Sequence, residues 1–203
     1  VDIVRVCDYL DPDEVLSGYT KGIFPMGYAD SPVISWHLPE HRGILPLEHF
    51  HASRSLLRQI RKGDFRVSFD ESFPAVLQAC ANRGGSRPGQ DSWITPKVQE
   101  VYTELFHRGY AHSVEVWQDG ELAGGTYGIH LGGAFFAESK FHARSGMSKI
   151  ALYYLVERLR SNGFALLDVQ YWTPHLEQFG VIEIDRNEYY WRLREALKIK
   201  AKF

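Results

Sequence analysis

His112-Ser-Val-Glu-Val-Trp117, Asp119-Gly120, Glu121-Leu-Ala-Gly-Gly-Thr-Tyr-Gly-Ile-His130, Leu131-Gly132-Gly133 and Ala134-Phe-Phe-Ala-Glu138 follow one another in this chain and set its architecture. The first run alternates apolar and polar residues, as a half-buried strand does. Asp-Gly is the preferred pair for a two-residue hairpin because both positions accept positive φ. The next two runs answer as partner strands, so residues 112–138 predict a three-stranded antiparallel meander. A helix over 149–162 follows, capped by Ser148 and stopped by Gly163, and residues 164–170 then read as a central strand.

Outward from this block, Thr95 and Pro96 open a helix that places Val98, Val101, Tyr102, Leu105 and Phe106 on one face and ends at Gly109. Downstream, Thr173-Pro174 starts a short helix closed by Gly180, residues 181–184 are strand-like, and 187–198 form a last helix. Upstream, Asp11-Pro12-Asp13-Glu14 is a capped helix start. Residues 22–42, rich in proline and glycine, predict a loop with an unusual aromatic load in Phe24, Tyr28, Trp36 and His37. Residues 65–69 alternate as a strand and 73–81 read as a helix. The run Arg-Gly-Gly-Ser-Arg-Pro-Gly-Gln-Asp at 83–91 is expected to be a mobile loop or domain junction. The class is therefore α+β, with a smaller N-terminal lobe at 1–91 and a second domain at 92–203.

At 203 residues the chain can bury a sizeable core, and 44% hydrophobic residues exclude disorder and disulfide-stapled scaffolds. Lys and Arg number 23 against 25 Asp and Glu, a formal charge of −2, so bulk charge names no partner. The two cysteines, Cys7 and Cys80, have no Cys-x-x-Cys pairing and read as free thiols in a reducing cytoplasm. No apolar run approaches the ~20 residues of a membrane span, and no leader pattern opens the sequence. Local charge is less even. Ser53 caps a helix in which Leu56, Leu57 and Ile60 are expected to face inward, leaving Arg54, Arg58, Arg61 and Lys62 on an exposed stripe. Guanidinium groups at that spacing suit a phosphate backbone; the alternative is a solvated helix face.

Two segments concentrate reactive groups. In Phe136-Ala-Glu138-Ser-Lys140-Phe-His142, strand alternation puts Glu138, Lys140 and His142 on one face. In Leu166-Leu-Asp168-Val-Gln170, two polar side chains project to one side of an otherwise apolar strand, where an unpaired carboxylate would be costly, so a hydrogen-bonded network is expected. The nine histidines show no zinc-helix spacing, and neither a Walker loop, a dinucleotide fingerprint nor a serine nucleophile elbow occurs. Chemistry without metal or cofactor is the simplest expectation.

Taken in order, Tyr19-x-x-Gly22-Ile-Phe-Pro25, Trp36-x-x-Pro39-x-x-Arg42, Ser92-Trp93-Ile94-Thr95, Ala111-His-Ser-Val-Glu-Val-Trp117, Gly124-Gly125-x-Tyr127-Gly128, Glu138-Ser139-x-Phe141, Ser148-Lys149 and Asp168-x-Gln170 resemble the leucyl/phenylalanyl-tRNA–protein transferase family. The resemblance implies transfer of an aminoacyl group from the 3′ end of an aminoacyl-tRNA to the α-amino group of proteins beginning with Lys or Arg, marking them for degradation. It also implies a C-terminal domain similar to acyl-CoA N-acetyltransferases (GNAT-like) and a cytoplasmic monomer with no membrane partner. By the same resemblance Asp168 and Gln170 match the peptidyl-transfer centre and Glu138 the acceptor site. Trp36, His37 and Trp93 fall at the tRNA 3′ end, and Thr126, Lys140, Leu152, Leu155 and Leu159 border the donor pocket. Arg54, Arg58, Arg61 and Lys62 fall where the family places tRNA-contacting residues. The chain departs from the family's pattern at Thr126 and Lys140, usually Met, at His142, usually Ser, and at His37, usually Trp. Those departures predict one polar wall in the donor pocket and a shifted or broadened donor preference. An acyl-CoA-dependent N-acetyltransferase and a non-catalytic tRNA- or N-terminus-binding module are the alternatives.

Overall fold

A computed structural model describes residues 2–28, 31–82 and 92–203; the expected junction at 83–91 lies outside them. The chain runs β1 (Ile3–Cys7), α1 (Pro12–Tyr19), β2 (Phe24–Tyr28), β3 (Ser31–His37), β4 (His41–Ile44), a 3-10 turn (Leu47–His49), α2 (Arg54–Lys62), β5 (Arg66–Phe69) and α3 (Phe73–Asn82). It continues through α4 (Pro96–His107), β6 (Ala111–Gln118), β7 (Glu121–Leu131), β8 (Ala134–His142), α5 (Met147–Ser161), β9 (Leu166–Gln170), α6 (Pro174–Glu177), β10 (Ile182–Asp185) and α7 (Arg186–Leu197).

The strands form two sheets, a seven-stranded one in the order β10-β4-β9-β8-β7-β6-β5 and a three-stranded one in the order β1-β3-β2. β6, β7 and β8 pair antiparallel in chain order, with Asp119 and Gly120 at φ 55° and 80° in the first hairpin. α5 then carries the chain back to β9, which lies parallel to β8. The two faces of the large sheet are covered differently. Leu152, Leu155, Val156 and Leu159 of α5 pack on one, together with Leu56 of α2. Tyr19 of α1, Val76 of α3, Tyr102 of α4 and Tyr189 of α7 pack on the other, with Phe24 and Trp36 of the small sheet. β4 and β5, both on the N-terminal side of 91, are strands of the same sheet as β6 to β10.

The stretch at 22–42, expected as loop, holds three strands. Its prolines are placed where a missing N–H costs no ladder bond. Pro25 is on β2, an edge strand, and Pro32 falls where the β2–β3 register slips between Gly27 and Tyr28. Helix α5 starts earlier than Ser148, because Gly146 at φ 84° makes the sharp turn and caps it without a side-chain bond. Leu57 of α2 faces solvent; the inward place is taken by Gln59, whose Nε2 donates to the Ser145 carbonyl at 3.2 Å.

Candidate active site

The parallel ladder between β8 and β9 is short, running from Ala134 opposite Leu166 to Phe136 opposite Asp168. Beyond that pair the strands part, and each carries an irregularity at the parting. On β8 the register against β7 slips, with Tyr127 opposite Ser139 but Gly128 opposite Ala137, so Glu138 is the extra residue of a bulge. On β9 the chain turns at Gln170, which has φ 66°. The fork so formed is the candidate site.

The bulge corrects the expectation that Glu138, Lys140 and His142 share a face. One extra residue shifts the strand's period, so Glu138 turns toward α1 and α4 while Lys140 lies over the Phe179 ring at 5.7 Å and His142 meets Ser148 of α5. Buried Glu138 accepts from Tyr19 Oη at 2.5 Å; Tyr19 and Tyr102 hydroxyls are 2.6 Å apart, and Tyr102 Oη reaches Glu138 Oε2 at 3.4 Å. Burial pushes the Tyr19 and Tyr102 phenols well up, so both remain donors. Burial likewise pushes the Glu138 carboxyl up to about 7. Hydrogen bonds from Tyr19 and from the Gln170 side chain pull it down, the Asp168 charge adds to the rise, and Arg42 opposes it.

Asp168 is engaged on every side. Its Oδ1 accepts from Arg42 Nε at 2.9 Å and from the Gln170 backbone N–H at 2.8 Å; its Oδ2 accepts from Arg42 Nη2 at 2.7 Å and from Tyr189 Oη at 2.6 Å. Arg42 completes its set by donating to the Gly22 carbonyl at 2.9 Å, and its guanidinium lies between the rings of Phe24 and Tyr189 at 4.6 and 4.7 Å. The expected network around Asp168 is therefore present, but its cation comes from β4. Asp168 grips the backbone of Gln170, whose side chain is near enough to Glu138 to oppose the rise of its carboxyl.

On the α5 side of the fork lies a cavity of about 130 Å³, lined chiefly by Leu45, Ala137, Leu152, Val169, Leu176 and Val181. That is close to the ~150 Å³ of an apolar cavity able to hold a benzene ring. Thr126 and Lys140 also border it. The Thr126 hydroxyl is directed away, donating to the Ser139 carbonyl at 2.9 Å. Lys140 rests its ammonium on Phe179, so its stem forms the wall. Of the expected leucines, Leu152 reaches the cavity, whereas Leu155 and Leu159 are wholly buried in the core under α5.

The aromatic residues separate in the same way. Trp36 is buried, its Nε1 donating to Cys7 Sγ at 3.3 Å. His37 is half-buried, stacked on Phe24 at 5.6 Å, with Nε2 2.7 Å from Ser35 Oγ. Trp93 is half-buried at the edge of β2, where its carbonyl accepts from Gly27 N–H at 3.1 Å. Arg54, Arg58, Arg61 and Lys62 are exposed along α2; Lys62 pairs with Asp64 at 2.7 Å, and no carboxylate pairs with the three arginines among the described residues. Among the described residues no cluster of His, Cys, Asp and Glu could hold a metal, and no helix is long and apolar enough to cross a membrane.

A family model described as leucyl/phenylalanyl-tRNA protein transferase matches residues 44–194, and one for the N-terminal domain of that family matches residues 8–40. A leucyl/phenylalanyl-tRNA–protein transferase of Salinibacter ruber is 48% identical over 192 residues, covering 95% of this chain and 82% of the relative. The chain belongs to this family. A second leucyl/phenylalanyl-tRNA–protein transferase, from Cereibacter sphaeroides, is 50% identical over 195 residues, covering 96% of this chain and 88% of the relative. The crystal structure of FemX shares the fold at a TM-score of 0.54 and 12% identity, covering 85% of this chain and 66% of that one. Within this chain, the sequence pattern did not place Arg42, Tyr102 and Tyr189 at the candidate site. Arg42 offered a signal, since an arginine beside Gly43 and Ile44 in a buried apolar run requires a partner carboxylate. Tyr102 and Tyr189 lie on amphipathic helices and give none.

Proposed function

We propose that this chain transfers an aminoacyl group, with leucine and phenylalanine as donors, from the 3′ end of an aminoacyl-tRNA to the α-amino group of proteins beginning with Lys or Arg. The observation that supports it most directly is a buried glutamate, its carboxyl raised to about 7 and influenced by the Gln170 side chain, that borders an apolar cavity the size of one hydrophobic side chain. The reaction is aminolysis of an ester. The amine nitrogen forms a bond to the carbonyl carbon, the bond to the ribose oxygen breaks, and the amine's proton ends on that oxygen. The acceptor arrives as an α-ammonium drawn to ionised Glu138, gives one proton to that carboxylate and attacks as the neutral amine, while the Gln170 side-chain carbonyl accepts from the attacking N–H. Asp168 and Arg42 fix the backbone from which Gln170 projects, so much of the acceleration is positioning.

The donor side chain occupies the cavity. With Thr126 turned away and Lys140 lying on Phe179, the cavity suits an apolar donor, and the preference is set by its size. Leu-, Met- and Phe-tRNA should all donate, with leucine favoured. A panel of labelled aminoacyl-tRNAs with a Lys- or Arg-starting acceptor tests both steps. Label passing from acetyl-CoA instead would make the chain an acetyltransferase; tRNA bound without label reaching any acceptor would make it a binding module.

The body that does this is GNAT-like, built on β6 to β9 and α5, with β4 and β5 added from the N-terminal side. The smaller N-terminal lobe at 1–91 then lends β4 and β5 to the sheet of the domain at 92–203. The protein acts as a monomer in the cytoplasm, with α2 lying along the tRNA. Replacing Arg54, Arg58 and Arg61 together by alanine should weaken tRNA binding and make the plot of log affinity against log salt shallower by about 2 to 3, since each phosphate contact contributes about 0.9. Filter binding at several salt concentrations measures this, and an unaltered slope would remove α2 from the interface.

A further inference from the structure

The corner at Gln170 is strained. Its φ of 66° is unusual for a residue with a side chain, and the Tyr171 N–H donates back to the Val169 carbonyl at 2.8 Å, closing a three-residue turn of the uncommon kind that has positive φ at its centre. A conformation of this sort costs on the order of 1–3 kcal/mol and persists only where its surroundings hold it. Three holds are visible. Asp168 takes the Gln170 N–H from within the strand. Gly43, opposite Gln170 on β4, lets the backbone of Tyr171 and Trp172 lie so close that a Cβ there would sit 2.6 Å from the Tyr171 carbonyl carbon. The third hold comes from outside the sheet. The Tyr171 ring meets Phe24 edge-on at 5.8 Å, and its hydroxyl lies 3.4 Å from His37 Nδ1. His37 is itself stacked on Phe24 and tied to Ser35, so both partners of Tyr171 are fixed by the small sheet.

We propose that Tyr171 is a positioning residue for transfer: clamped by Phe24 and His37, it holds the strained corner from which the Gln170 side chain is aimed at Glu138. This rests on the reading of Gln170 and Glu138 as the transfer centre. The clamp is also the point where the small sheet acts on the reaction, since the Phe24 ring also lies 4.6 Å from the Arg42 guanidinium. Tyr171 touches neither carboxylate and sits at the surface, so its effect passes through the corner it holds and through Phe24.

The test is Tyr171→Ala beside Tyr171→Phe, each first shown by a thermal melt to be folded. Tyr171→Phe keeps the ring on Phe24 and should retain kcat within about threefold. Tyr171→Ala should lose roughly 10- to 100-fold in kcat, the scale of a displacement near one ångström, with KM for aminoacyl-tRNA changed less than about twofold. A second readout needs no turnover. The groups facing Glu138 are Tyr19, Tyr102, Tyr127, Gln170, Asp168 and Arg42, and the Gln170 bond is one of those that hold its titration down. If the corner relaxes, the Glu138 carboxyl, followed by ¹³C NMR and assigned with Glu138→Gln, should titrate at higher pH in Tyr171→Ala and unchanged in Tyr171→Phe. A native Glu138 titration in Tyr171→Ala, whatever the rate, overturns the proposal. A shifted titration in a protein that transfers nothing from any aminoacyl-tRNA supports the clamp and sinks the functional reading instead.

Discussion

Asp168→Ala should melt roughly 10 °C below the native chain and transfer no detectable aminoacyl group. The size of the effect follows from burial. Arg42 and Asp168 are 1% and 0% exposed, and removing the carboxylate leaves a guanidinium charged, dry and held only by the Gly22 carbonyl and two aromatic faces. Breaking one partner of a buried pair costs about 3–5 kcal/mol, far more than losing an exposed pair, and each kcal/mol moves a chain of this length by about 2–4 °C. On sequence grounds alone Asp168→Ala would be expected to slow transfer without unfolding, as a reactive carboxylate would. The geometry, with the Tyr189 hydroxyl and the Gln170 N–H also bound to Asp168, makes stability and activity fall together. The double change Arg42→Met with Asp168→Leu separates the two causes. It removes both charges, so it should be more stable than either single variant while remaining inactive. Melts followed by circular dichroism decide; an unmoved midpoint for Asp168→Ala would mean that the pair is not buried in solution.

The parts of this picture that could be read from sequence are those governed by local rules. Alternation and the Asp119-Gly120 turn gave β6 and β7, and Gly163 gave the end of α5, because each depends on a handful of adjacent residues. The strands at 22–42 were missed because proline is a breaker only where a ladder needs its N–H, and whether Pro25 and Pro32 meet that condition depends on an edge and a register slip set by distant partners. The site shows the same division. Glu138, Asp168 and Gln170 stand out as polar groups on apolar strands. Their actual relation does not, since one bulged residue turns Glu138 away from Lys140, and the cation for Asp168 arrives from a strand 126 positions earlier in the chain.

Glu138→Gln should be more stable than the native protein above pH 7 and at least 100-fold less active there. The sign follows from the direction of the shift. Burial raises the Glu138 carboxyl from its ordinary 4.5 to about 7 in the folded chain, so between those values the folded state keeps a proton that the unfolded state has lost. The stability this group supplies is therefore fully present below about 4.5, falls as pH rises toward 7, and is gone above it, a change of roughly 3 kcal/mol for a shift of this size. Glutamine keeps an oxygen for the Tyr19 hydroxyl and has no charge to desolvate. The difference in unfolding free energy between Glu138→Gln and native protein should thus grow from near zero at pH 4.5 to a few kcal/mol at pH 8, by urea melts across the range. Transfer runs the other way. Native activity should rise through pH 7 as the carboxylate forms, and the glutamine variant, unable to hold the acceptor's ammonium by charge, should lose it at least 100-fold, within the range for one acid–base group. Parallel pH profiles of stability in the two proteins would show that Glu138 is not the group titrating. If both profiles behave as expected, the protein maintains a destabilised carboxylate at its centre, the trade of stability for function expected where a charge must be kept dry until a substrate's own charge meets it.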